Sequence, residues 1–153
     1  MIISSEIDIA SISSTVSTVN GAVVIDSPAL FLSGNINSGA ASQTYSGAVT
    51  LADDVTLATS TGVAGDLEIR FKGTVESQNS GEGPGPYSLT LESEAIYAEG
   101  DIGGLGPLES FSAYSVNDTA ERGQFYSSVH TDGLQSYKAG ASSGDVEFNG
   151  TYT

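Results

Sequence analysis

From Leu67 to Glu76 the chain alternates without a break, with Leu67, Ile69, Phe71, Gly73 and Val75 in one set and Glu68, Arg70, Lys72, Thr74 and Glu76 in the other. A period of two puts successive side chains on opposite faces of a pleated backbone, so the stretch Leu67 to Val75 predicts a strand with one buried face. Shorter pieces of the same kind are Val23 to Ile25, Leu30 to Ile36, Ala48 to Leu51, Val55 to Leu57, Leu89 to Leu91, Phe111 to Val116 and Val146 to Phe148, and Ile7, Ile9 and Ile12 open the pattern with one slip. No stretch carries a helical period; the best candidate, Asn117 to Gly123, is too short and too polar. The expected fold class is therefore all-β.

Turn chemistry punctuates these runs. Asn20-Gly21, Ser33-Gly34-Asn35, Asn37-Ser38-Gly39, Thr61-Gly62, Asp132-Gly133, Ser143-Gly144-Asp145 and Asn149-Gly150 all supply residues that tolerate positive φ. Between Gln78 and Tyr87 the run Asn79-Ser80-Gly81-Glu82-Gly83-Pro84-Gly85-Pro86 cannot hold a ladder, so 78–87 reads as a Gly/Pro loop inside the domain. At 153 residues the chain suits one domain, 1–153, with a real core.

A repeat search suggests how the strands are arranged. Gln43-Thr44-Tyr45-Ser46-Gly47-Ala48 returns in degenerate form as Gln135-Ser136-Tyr137-Lys138-Ala139-Gly140-Ala141, 92 residues further on. That spacing is close to four coils of about 23 residues, a size found in β-helices. It predicts a β-solenoid, a parallel β-helix of about seven rungs, beginning near Met1, Val23, Gln43, Asp66, Ser88, Ser110 and Leu134. An antiparallel β-sandwich satisfies the same alternation and is the alternative. Residues 1–22 then form a cap or an exchanged strand.

These residues also look like something known. The run from Gln43 to Leu51, followed by Asp54-Val55-Thr56-Leu57 and by Asp66 to Val75, resembles the repeat unit of long bacterial filamentous-haemagglutinin-like adhesins. Ser88-Leu89-Thr90-Leu91, Asp101-Ile102-Gly103-Gly104, Pro107 to Phe111 and Thr131 to Tyr137 continue it in order, and the match spans roughly Asn35 to Gly150. Three stretches depart from the pattern: Met1 to Ala22, the loop after Gln78, and Arg122 to Tyr126. The resemblance implies a solenoid within a large exported protein that spaces or displays adhesive regions, and it carries over no catalytic residue.

Charge narrows the partners. Four cations, Arg70, Lys72, Arg122 and Lys138, face 19 carboxylates for a formal charge of −15. Such a field repels nucleic-acid phosphates and anionic lipid surfaces. The chain has no cysteine, which removes disulfides, thiolate metal sites and thiol nucleophiles. It has no signal-like N-terminus and no apolar run long enough to span a bilayer. The expected setting is extracellular or at a cell surface, with the export signal outside this chain.

Candidate chemistry is sparse. His130 is the single imidazole, and beside Asp132 it lacks an evident serine for a triad. The acidic pairs Asp53-Asp54 and Glu92-Ser93-Glu94 supply the residue types of glycoside hydrolysis, but stacked acids at rung turns are ordinary solvated decoration. Asp53, Asp54 and Asp66 lie near turns and are the candidate calcium ligands, although neither an EF-hand loop nor a Gly-Gly-x-Gly-x-Asp repeat is present. No other cofactor is expected. Among the aromatics, Tyr87, Phe125 and Tyr126 are the candidate ligand or partner contacts, whereas Tyr45 and Tyr137 read as equivalent rung positions with hydroxyls turned to water. The functional expectation is a non-enzymatic structural and adhesive module binding a host or cell-surface protein or carbohydrate. A self-assembling filament or surface-layer subunit is the second reading, with other copies of itself as partner, and a polysaccharide-active enzyme the third.

Overall fold

The structure, a computed structural model, describes residues 2–4, 10–17, 21–59, 67–78, 85–115, 122–125, 128–138, 145–148 and 153; for 2–4, 10, 115, 122–125 and 145–148 it describes the backbone alone. Short strands separated by tight corners wind into a three-sided coil. The first turn holds β1 (Ile2–Ser4), β2 (Ala10–Ile12) and β3 (Val16–Ser17), and the second β4 (Val23–Asp26), β5 (Ala29–Leu32) and β6 (Ile36–Asn37). The third holds β7 (Gln43–Tyr45), β8 (Ala48–Leu51) and β9 (Val55–Ala58), and the fourth β10 (Glu68–Phe71), β11 (Val75–Ser77) and β12 (Leu89–Ser93). Then come β13 (Ala95–Ala98), β14 (Phe111–Ser115), β15 (Arg122–Phe125), β16 (Gln135–Lys138) and β17 (Asp145–Phe148).

Each side of the coil is one sheet. The first side runs β1-β4-β7-β10-β13-β15-β17, the second β2-β5-β8-β11 and the third β3-β6-β9-β12-β14-β16. Every strand pairing among the described residues is parallel. That excludes the antiparallel sandwich and establishes a β-solenoid. Four turns carry a strand on all three sides; beyond them the second side continues as single bridges, Val75 with Ile102 and Ile102 with Val129. Parallel neighbours need a long crossover, and here the crossover is the rest of the turn. Its length varies, from 19 residues between Leu30 and Val49 to 34 between Thr56 and Thr90.

This unevenness corrects the rung boundaries. Met1, Val23, Gln43 and Asp66 do fall close to the starts of first-side strands, but Ser88, Ser110 and Leu134 precede the third-side strands β12, β14 and β16. A uniform ruler loses phase where the segment 78–88 is inserted between β11 and β12. For the same reason Gln43 and Gln135 are not equivalent positions, since β7 and β16 belong to different sides. The predicted strand from Leu67 to Val75 is likewise two strands, divided by a corner at Lys72-Gly73-Thr74. Alternation survives the corner because Ile69, Phe71 and Val75 all point inward.

In-register stacking builds the core. On the first side Ile25, Tyr45, Phe71 and Ala98 form one inward column, with the Tyr45 and Phe71 rings stacked at 5.0 Å and 18°. On the third side Ile36, Leu57, Leu91, Ala113 and Tyr137 form another. Each fully buried Leu, Ile or Phe contributes about 1.5–3 kcal/mol, and each rung covers the open face of the one before it.

The corner between the first and second sides admits only glycine in successive turns. A Cβ on Gly47 would lie 2.0 Å from the Ser27 carbonyl oxygen, one on Gly73 2.5 Å from Gly47 backbone, and one on Gly100 2.5 Å from Gly73 backbone. The second and third sides meet at a polar corner, where the Asn35 Oδ1 accepts Thr56 N at 2.7 Å and the Asp54 Oδ1 accepts Ser88 N at 2.8 Å. The two corners thus stack by different means, one by close backbone approach and the other by side-chain bonds to the next turn.

Candidate functional site

A concave feature sits on the outer surface of the second side. There the outward residues Phe31, Thr50 and Glu76 stand in register on β5, β8 and β11. In the next turn the strand is replaced by Gly103-Gly104-Leu105-Gly106-Pro107, which no ladder accommodates: Gly103 has φ +73°, and Pro107 has no N–H to donate. Bridges at Ile102 and Leu108 hold the two ends of this loop. Between them it folds over Glu76.

Backbone amides grip that carboxylate. Leu105 N and Gly106 N donate to Glu76 Oε2 at 2.9 and 2.8 Å, and Ser77 N donates to the Gly106 carbonyl at 2.9 Å. Charge-assisted bonds of this kind are about twice as strong as neutral ones, so Glu76 anchors the loop. Its second oxygen is different: Oε1 is buried and receives no hydrogen bond. An unsatisfied buried acceptor costs about 1–3 kcal/mol. Glu76 also lines a cleft of about 390 Å³, together with Phe31, Thr50, Leu105 and Gly106. Leu105 is 87% exposed, an apolar side chain held out at the rim.

The residues singled out from the sequence are dispersed. Asp53 and Asp54 occupy the polar corner before β9, where Asp53 Oδ1 accepts Asp54 N at 2.8 Å and Asp54 Oδ1 is committed to Ser88 N. Among the described residues no group of three or more acidic or imidazole side chains converges on a metal position, and Asp66 lies outside the described residues. Tyr87 is 9% exposed and packs in the core, and its N–H donates to Ser77 Oγ at 2.7 Å. It is thus no surface contact, because it pins the end of the Gly/Pro loop to β11. Tyr126 and the Phe125 side chain lie outside the described residues. His130 pairs through Nδ1 with Thr153 Oγ1 at 2.6 Å.

The two Gln-x-Tyr motifs turn inward. Tyr45, 1% exposed, donates its hydroxyl to Gln43 Oε1 at 2.7 Å, and Gln43 Nε2 donates to the Ala58 carbonyl at 2.6 Å. Tyr137 donates to Gln135 Oε1 at 3.1 Å, while Gln135 Nε2 reaches the carbonyls of Val129 and Thr153. The hydroxyls therefore do not face water as expected; each staples a corner, and burial pushes the Tyr45 hydroxyl far above the usual tyrosine range. On the outer first side, Arg70 is held by Glu68 and by Glu99 at 2.9 Å and lies 4.4 Å over the Tyr97 ring. The Glu68 bond, reinforced by Glu99, outweighs partial burial and raises its pKa further. Arg70 is a structural cation.

Sequence reasoning missed the Glu76 cleft. Glu76 ends the strict alternation as one more outward acid, and what distinguishes it is a loop 29 residues later in the chain. An exposed leucine inside a Gly/Pro-rich segment was the available signal. In comparisons with known proteins the chain matches no family model, no curated sequence and no solved structure.

Proposed function

We propose that this chain is a structural and adhesive module of an exported bacterial surface protein, acting by spacing and display and by binding without turnover. The observation that carries this reading is the continuous parallel ladder. Stacked turns present outward side chains at a fixed spacing of about 4.8 Å per rung on a rigid core, which suits a surface that holds a ligand rather than one that closes around it. The likeness to filamentous-haemagglutinin-like repeats points the same way, as does a net charge of −15 that favours solubility. In this reading the coil runs through about seven rungs, a count in keeping with the seven strands of the first side.

The test is a binding and turnover experiment on the same preparation. Immobilised protein is exposed to arrays of extracellular-matrix proteins, cell-surface proteins and glycans, and soluble protein is incubated with the same polysaccharides while reducing ends are counted. Saturable binding without release of new ends is expected. Release of reducing ends that disappears on substitution of an Asp53 or Glu92 carboxylate would replace this reading with the enzymatic one. Concentration-dependent filaments under electron microscopy would replace it with the self-assembling subunit.

A further inference from the structure

We infer that the cleft beside Glu76 is a binding site for a primary ammonium on a short apolar stem, the chemistry of a lysine side chain on a partner polypeptide. This deepens the adhesive reading and rests on it. The argument begins with the carboxylate. Oε2 is occupied by two backbone amides while Oε1, equally charged, has none. A neutral hydroxyl could supply a donor, but an ammonium also supplies the opposite charge, in a molecule whose field already draws cations. The rest of the lining favours a stem: Phe31 and Leu105 are apolar, and the Thr50 hydroxyl adds a second acceptor for a group with three donors.

Access is through the rim. Oε1 is shielded from solvent, so an ammonium that reaches it must displace part of the cleft lining. Leu105, 87% exposed at the rim, can then close over the methylene stem. Lysine side chains commonly bury their stems along apolar surface in this way. The loop itself stays pinned through Oε2, so entry leaves the backbone in place.

The probe is Nα-acetyl-lysine methylamide, titrated into the full chain and followed by amide chemical shifts, with its Nε-acetylated form and glucosamine as comparators. The Leu105 and Gly106 amides and the Phe31 ring should shift, and acetylation of Nε should weaken binding by about tenfold or more, since it removes the charge-assisted bond. Glu76→Gln should weaken it similarly, because its amide oxygen still accepts the two loop amides while an N–H₂ replaces Oε1. Phe31→Ala, which leaves the anchor untouched, should also weaken it. Equal affinity of the acetylated form, or wild-type affinity in both variants, would overturn the inference. Tighter binding of glucosamine would overturn the assignment to lysine. Array ligands that bind with no preference for amines would sink this inference alone, and amine binding with no array ligand would sink the display reading alone.

Discussion

Gly73 shows at residue scale why the solenoid depends on its corners. Its missing Cβ would lie 2.5 Å from the carbonyl carbon and oxygen of Gly47, and both are backbone atoms that cannot rotate away. Gly73→Ala should therefore cost about 1–3 kcal/mol, as overpacking does, read as a drop in the urea midpoint. Gly104→Ala meets only the Asp101 side chain, at 3.2 Å, and should cost less. Tyr45 gives a second prediction. Its folded pKa is raised by burial above the ordinary 10.0, so beyond that pH the unfolded chain releases a proton the folded chain retains. Stability is fully present below about pH 10 and falls as pH rises beyond it. Urea midpoints measured from pH 8 to pH 11 should show this slope, and Tyr45→Phe should flatten it while lowering stability by about 1 kcal/mol, since Gln43 Oε1 loses its donor.

The element scale is clearest in β10. Ile69 and Phe71 are 0% and 1% exposed, whereas Arg70 between them points outward into the Glu68, Glu99 and Tyr97 cluster. Ile69→Asp or Phe71→Asp should unfold the protein, because an unpaired buried carboxylate costs several kcal/mol against a total of roughly 5–15. Arg70→Ala should cost about 1 kcal/mol or less, as exposed ion pairs do; circular dichroism on heating separates the two outcomes. This contrast was legible in the alternation alone. The division of that alternating stretch into β10 and β11 was not, because a chain bending through Lys72-Gly73-Thr74 keeps its inward positions in step and leaves no break in the pattern. Leu30 to Ile36 divides in the same way at Ser33-Gly34-Asn35, giving β5 and β6.

For the whole molecule, stability follows position along the stack. Among the described residues β7 to β10 and β12 have neighbouring strands on both sides within their sheets, while β11 pairs with one strand only, β8, and β1, β2 and β3 pair on one side only, with β4, β5 and β6. Native-state hydrogen exchange should show slowest exchange in β7, β9, β10 and β12 and fastest in the first turn, a gradient expected when each rung depends on its neighbours. Uniform protection would mean that the stack opens as a single unit. The far-ultraviolet spectrum should be almost purely β, consistent with the absence of helix among the described residues.

Local pattern determined which residues face inward and which segments turn, because side-chain alternation and the φ tolerance of glycine and asparagine are properties of neighbouring residues. It also led to a coil, through a repeat whose phase proved misleading: the two Gln-x-Tyr motifs staple corners on different sides of the coil, and so mark local geometry rather than rung number. The parallel pairing, the stacked glycine corner and the Glu76 cleft were settled only by the tertiary structure. Each joins residues a full turn apart, as when Leu105 and Gly106 close over a carboxylate 29 and 30 positions earlier. Uneven turns of 19 to 34 residues leave no fixed spacing from which such contacts could be counted.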